Sequence, residues 1–169
     1  MEAKSKSATM KGISGKELEA ISFLELEGKR FFSKADVSRF FGSPGEMAVY
    51  IHRLVRKGRV VKIARDRYYL VPIQAYQGKW SEHPYIVIDE VFNGRGYVIG
   101  GKSAANYWGF VEQIPSVIDV FSRTRQGRKE MFGFTIRFRR VRNLPRSTTG
   151  RVKGHQFIIA TEGVSKRWK

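Results

Sequence analysis

The residue pattern predicts an α+β chain in two parts: three helices and a β-hairpin, then a small α+β domain. Three observations lead there. Capping residues recur at fixed offsets ahead of helical apolar periodicities up to Lys57. Two β-rich segments around a charged turn follow at once. Beyond Pro115 the signals become those of strands. With 41% hydrophobic and 13% aromatic residues among 169, the chain can bury a core.

Met1 to Gly12 is polar and basic and reads as an arm, 1–12, either a frayed end or a DNA-contacting segment. It lacks a hydrophobic centre, so no signal peptide is expected. Ser14 opens a capping box with Glu17, and Leu18, Ile21 and Leu24 begin a helix that stops at Gly28. Ser33 with Asp36 makes a second start, and Val37, Phe40 and Phe41 line one side of a short helix ended by Gly42. The third start combines Ser43 as N-cap, Pro44 at N1 and Glu46 at N3, and its helix runs to about Lys57 before Gly58. The strand Arg59 to Arg65, the turn Asp66-Arg67 and the strand Tyr68 to Val71 then form a hairpin. Helices in this order followed by a hairpin describe a winged helix-turn-helix, placed at 13–75.

Ile73 to Trp80 reads as a polar linker, and 76–169 as the second domain. His83-Pro84 opens a helix through Phe92, broken by Asn93 to Gly96. Tyr97 to Ile99 and the Gly100-Gly101 turn lead into a helix from about Ser103 to Gly109. Strands are expected at Val117 to Phe121, Phe134 to Val141 and Phe157 to Thr161, with Arg123 to Lys129 as a charged turn.

Thirty-two Lys and Arg against fifteen Asp and Glu leave a net charge of +17, which points to a polyanionic partner. There is no cysteine, hence no disulfide framework or thiolate chemistry. No apolar run approaches the roughly 18 residues of a membrane span. A soluble, cytoplasmic, nucleoid-associated protein with no membrane partner is expected. The lack of Cys and scarcity of Asn and Gln suit a thermophile.

On the third helix, Met47, Ala48, Ile51, Leu54 and Val55 share the face expected to be buried. Val49, His52, Arg53 and Arg56 point away, with Glu46, Tyr50 and Lys57 at the flanks. A recognition helix enters the major groove N-terminus first, so Ser43, Gly45, Glu46, Val49 and Arg53 are best placed for base edges. Arg53 leads, because a guanidinium forks onto guanine O6 and N7. Arg56 and Lys57 are expected on phosphates. Lys62, Arg65 and Arg67 make the hairpin tip basic, as phosphate or minor-groove contacts require.

Little in the chain suggests catalysis. His52, His83 and His155 are its three histidines, and they lie in separate segments without metal-ligand spacing. Asp89 and Glu90 are adjacent, so on a helix their side chains diverge. No cofactor, metal or catalytic residue is expected. The alternative is a nucleic-acid-processing enzyme or subunit, either a nuclease or an RNA-processing accessory.

Arg67-Tyr-Tyr-Leu-Val-Pro72 is followed by Tyr97-Val-Ile-Gly-Gly-Lys-Ser-Ala-Ala-Asn-Tyr-Trp-Gly-Phe110. Gln113-Ile-Pro115, Val117-Ile-Asp-Val-Phe121 and Phe134-Thr-Ile-Arg-Phe-Arg-Arg-Val141 come next. From about Gly15 to Thr161 this order resembles the AbiEi-type antitoxins and related regulators of type IV toxin–antitoxin systems, their archaeal relatives included. The resemblance implies a winged helix that binds operator repeats, as a dimer or as cooperatively bound copies, and represses its own operon. It also implies an antitoxin role for the second domain and a nucleotidyltransferase-type toxin that need not bind the antitoxin. Family members usually continue with a further helical region, whereas this sequence stops at Lys169. The regulator half is therefore expected to carry over better than the antitoxin half.

The second domain has a charge signal of its own. Arg123, Arg125, Arg128, Lys129, Arg137, Arg139, Arg140 and Arg142 accompany one acid, Glu130, between 123 and 142. Thr135, Arg137 and Arg139 alternate with Phe134, Ile136 and Phe138, giving one apolar and one cationic strand face. A second nucleic-acid surface is expected there, for DNA or RNA, with Lys102, Lys153, Lys166, Arg167 and Lys169 able to widen it.

Overall fold

A computed structural model describes residues 12–72, 75 and 82–169 and shows a mixed α+β protein. The expected arm and linker, apart from Gly12 and Ala75, lie outside the described residues. The chain divides into two compact units, Met1–Trp80 and Ser81–Lys169.

In the first unit, helix α1 spans Gly15–Leu26, and Ser14 caps it through the reciprocal bonds of a capping box. The two-residue strand β1, Phe31–Phe32, precedes the short helix α2, Lys34–Val37, and a 3-10 turn at Ser38–Phe40. Helix α3 covers Pro44–Arg56, with the Ser43 hydroxyl accepting from Glu46 N. Strands β2, Val60–Ala64, and β3, Arg67–Leu70, complete a three-stranded antiparallel sheet in the order β1-β3-β2. Both long helices end the same way. Lys29 N donates to Leu24 O (2.8 Å) and Arg59 N to Leu54 O (3.0 Å), which requires left-handed backbone at Gly28 (φ 63°) and Gly58 (φ 71°).

The core of this unit joins Ile21, Leu24, Phe32, Ile51, Leu54 and Leu70. Strand β1 carries Phe32 into it, although the sequence offered no strand signal there. The buried face of α3 is narrower than expected. Met47, Ile51 and Leu54 are buried, whereas Ala48 and Val55 are exposed. At about 100° per residue the first three fall within roughly 60° of arc, and the other two lie outside it.

The second unit begins with α4, Pro84–Phe92, followed by β4, Tyr97–Gly100, and α5, Gly101–Tyr107. Strands β5, Val117–Ser122, β6, Gly127–Met131, and β7, Phe134–Arg140, follow. Strands β8, Ser147–Val152, and β9, His155–Ala160, precede the short helix α6, Glu162–Ser165, and a 3-10 turn through Trp168. The six strands form a mixed sheet, β6-β7-β5-β4-β9-β8, in which β5 pairs with β7 and β4 with β9 in parallel.

Part of the expected charged turn, Arg123 to Lys129, is strand β6, and β8 was not anticipated. Both are edge strands, Gly-Arg-Lys-Glu-Met and Ser-Thr-Thr-Gly-Arg-Val, whose polar composition hides them from an apolar period. Each forms a hairpin with its neighbour, through Phe132-Gly133 and Lys153-Gly154, where all four residues have positive φ.

Register places Tyr97, Ile99, Ile118, Val120, Ile136, Phe138, Phe157 and Ile159 on one sheet face. Helix α4 covers this face: Phe92 stacks on Tyr97 at 5.0 Å, and Tyr85 meets Phe157 at 4.9 Å. Asp89 ties the same helix to two strands. It accepts from the Tyr97 hydroxyl (2.6 Å) and lies 2.9 Å from His155 Nε2.

Candidate nucleic-acid interface

Helix α3 leaves Val49, His52, Arg53 and Arg56 exposed on the side away from Met47, Ile51 and Leu54. No acid faces Arg53 or Arg56 in an ion pair among the described residues. The Arg53 guanidinium lies 5.4 Å from the Tyr50 ring centre, and Tyr50 in turn packs on Phe41 at 5.2 Å. The exposed face therefore carries cationic and apolar groups with no acidic partner among the described residues.

Two flanking residues, Glu46 and Lys57, have internal work that the sequence did not reveal. The Glu46 carboxylate accepts from Gly42 N (2.6 Å) and pairs with Lys16, and these bonds hold its pKa below the ordinary value. Through these bonds it fixes the entry of α3. The Ser43 hydroxyl is likewise committed as the α3 cap, at 3.1 Å from Glu46 N, while Gly45 is exposed in the first turn.

Lys57 is also held within the unit. Its amine donates to both oxygens of Glu17 at 2.9 and 2.7 Å, and also to Gly12 O. Glu17 is 1% exposed. Burial would raise the Glu17 pKa, but the bonds from Lys57 and from Ser14 outweigh it and hold the carboxyl below its usual value. A cation neutralising a buried carboxylate is not available to a phosphate, so Lys57 belongs to the junction of α1 with the end of α3.

On the hairpin, Lys62 and Arg65 are exposed and Arg67 is half-buried. Asp66, the acid between Arg65 and Arg67, takes left-handed backbone (φ 50°) and accepts from Lys34 N at 3.1 Å. The tip is thereby tied to the start of α2.

The eight cations expected between 123 and 142 do not form one surface. Arg125 packs over Phe92 and Phe138, 5.0 and 5.8 Å from their ring centres, and donates to Val91 O. It is a packing residue. Arg128, Arg137 and Arg139 do share a sheet face, since Arg128 pairs with Arg137 in register and Arg139 lies two residues on. Arg140 points to the opposite face, Lys129 pairs with the buried Ile136 there, and Arg123 and Arg142 are exposed in the segments flanking β6 and β7.

The cationic face also contains an acid from another strand. Asp119 of β5 is 6% exposed and pairs in register with Arg137. Arg137 binds it through Nε and through Nη2 at 2.7 Å, and Arg139 Nε lies 2.9 Å away. Burial would raise the Asp119 pKa, but the two guanidiniums outweigh it and keep the carboxyl ionised below its usual range. Only the alternation within Val117–Ser122 hinted that Asp119 shares the arginine face.

No group of three or more His, Asp or Glu side chains suited to a metal ion occurs among the described residues. No helix among them is long and apolar enough to cross a membrane.

The sequence matches no protein-family model and no curated protein. Among solved structures it is similar to the RV2827C protein from Mycobacterium tuberculosis, with a TM-score of 0.56 at 18% sequence identity. The match covers 77% of this chain and 46% of that one, so the chain spans less than half the length of that protein. At this identity the likeness concerns the fold alone, a mixed α+β architecture.

Proposed function

We propose that the chain is a sequence-specific, duplex-DNA-binding transcriptional regulator, acting in the cytoplasm on the nucleoid. In this reading the first unit is a winged helix-turn-helix, α3 its recognition helix and the β2–β3 hairpin its wing. The observation that carries the reading is the division of α3 into two sides. One side is buried through Met47, Ile51 and Leu54, and the other presents Val49, His52, Arg53 and Arg56 to solvent without an acidic partner among the described residues. Such a helix can lie in a major groove with Arg53 forked onto a guanine edge and Arg56 on the backbone. The exposed Lys62 and Arg65 extend the cationic surface along the hairpin.

The resemblance to AbiEi-type antitoxins extends this reading to autorepression through operator repeats, with the protein acting as a dimer or as cooperative copies. It adds a functional partner, a nucleotidyltransferase-type toxin. Footprinting the purified protein on the DNA upstream of its own coding region tests the core of the proposal. A protected inverted repeat that persists against excess random duplex is expected. Uniform weak protection at all sequences would overturn it. Rescue of growth by co-expression with a neighbouring nucleotidyltransferase tests the antitoxin extension.

A further inference from the structure

The sheet face opposite α4 carries a constellation that duplex recognition by α3 does not use. At its centre Asp119 holds two guanidiniums, so the trio keeps a net positive charge in a fixed geometry. Both Nη groups of Arg139, whose side chain is 48% exposed, have no protein acceptor among the described residues. Beside them the Phe121 ring stacks on Trp168, with centroids 5.7 Å apart and planes inclined by 17°.

The Gly100-Gly101 pair, expected only as a turn, makes this arrangement possible. A Cβ on Gly100 would overlap the Phe121 ring and meet Trp168 at 3.2 Å. A Cβ on Gly101, where φ is 60°, would lie 2.6 Å from Asp119 Oδ2. Two open hollows meet at Phe121, Arg137 and Arg139. One, of about 340 Å³, reaches Lys102 and Trp168, and the other, of about 520 Å³, reaches Arg128.

We propose that this face binds single-stranded nucleic acid, with Arg137 and Arg139 on its phosphates and the Phe121–Trp168 pair stacking an unpaired base. The Asp119 carboxylate orients the guanidiniums before a ligand arrives, so a charge-assisted phosphate bond costs little side-chain ordering. Lys102 and Arg128 on either side let a backbone track across both hollows. The aromatic pair selects the strandedness. A duplex hides the faces of its bases, whereas a single strand can lay one against a ring of any sequence.

The test uses the full-length protein, a short labelled oligothymidylate and an abasic strand of equal length, read by fluorescence anisotropy. The oligothymidylate should bind about tenfold tighter than the abasic strand. Trp168→Leu should remove that preference while changing abasic binding less than about twofold, and Trp168→Phe should retain most of it. Arg139→Gln should weaken both strands and leave the operator footprint unchanged. Equal affinity for the two strands, or equal loss on both with Trp168→Leu, would overturn the stacking role. Displacement of the strand by thymidine monophosphate at equal nucleotide concentration would overturn it in favour of a mononucleotide site. Should Trp168→Leu fail to fold, Arg139→Gln decides alone: single-strand affinity that does not fall overturns the proposal. Loss of the operator footprint in the wild-type protein would instead count against the duplex reading only.

Discussion

Arg53 and Arg56 are both exposed on α3, yet they are expected to act differently on DNA. Arg53→Ala should cost roughly 1–3 kcal/mol on the operator and little on random duplex, because a lost base contact is felt only where that base is present. Arg56→Ala should weaken both duplexes alike and reduce the slope of log affinity against log salt by about 0.9, one phosphate's worth. Equal losses on both duplexes for Arg53 would move it onto the backbone. Lys57 should leave that slope untouched. Lys57→Met removes the partner of a buried carboxylate and should lower the melting temperature instead.

The same carboxylates set the acid limit of the fold. Glu17, Asp36 and Asp119 are all held below their ordinary pKa values. Burial opposes this at Asp36, but the Ser33 backbone and hydroxyl and the Lys29 amine bring it from 3.8 to about 2. An unfolded chain then binds more protons than the folded one in this window, so stability rises with pH there and is lost as pH falls. Melting temperature should be flat above about pH 5 and fall steadily towards pH 2. Asp36→Asn should lower the plateau and make the fall shallower. A wild-type melting temperature that holds or rises on acidification would contradict the paired state of these groups.

At the scale of elements, α3 depends on its first turn. Ser43→Ala removes the acceptor for Glu46 N and should cost about 1 kcal/mol, or about 4–8 °C for a small domain. An unchanged melting temperature would mean that Glu46, through Gly42, fixes the start of the helix by itself. Strand β7 makes a second test, because its two arginines differ in what they support. Arg137 bonds the buried Asp119 through two nitrogens and Arg139 through one. Arg137→Gln should therefore cost roughly 1–3 kcal/mol in thermal unfolding, and Arg139→Gln markedly less.

At the scale of the whole molecule, a net charge of +17 predicts a polyanionic partner but not its form. Two surfaces are expected to divide the partners between them. Arg53→Ala should reduce operator affinity and leave oligothymidylate affinity unchanged, and Arg139→Gln should do the reverse. Parallel titrations of both variants against both ligands check this, and a variant that weakens the two ligands equally would mean one shared cationic surface.

The sequence by itself determined the elements whose signals are local. Ser14, Ser33 and Ser43 with their acids marked helix starts, because a cap lies three residues from the amide it serves. Gly28 and Gly58 marked helix ends, since the left-handed backbone that closes a helix is adopted most cheaply by glycine. The exposed side of α3 was legible from the helical period for Val49, His52, Arg53 and Arg56, though not for Ala48 and Val55. Tertiary structure alone decided which cations remain available. Lys57 looked like a phosphate ligand until α1 placed a buried Glu17 against it. Arg137 and Arg139 read as an unopposed cationic row until parallel pairing brought Asp119 between them. The physical reason is the range of the forces. Caps and periods act within a few residues, whereas an ion pair forms between groups 18 or 40 positions apart and exists only once the chain has folded.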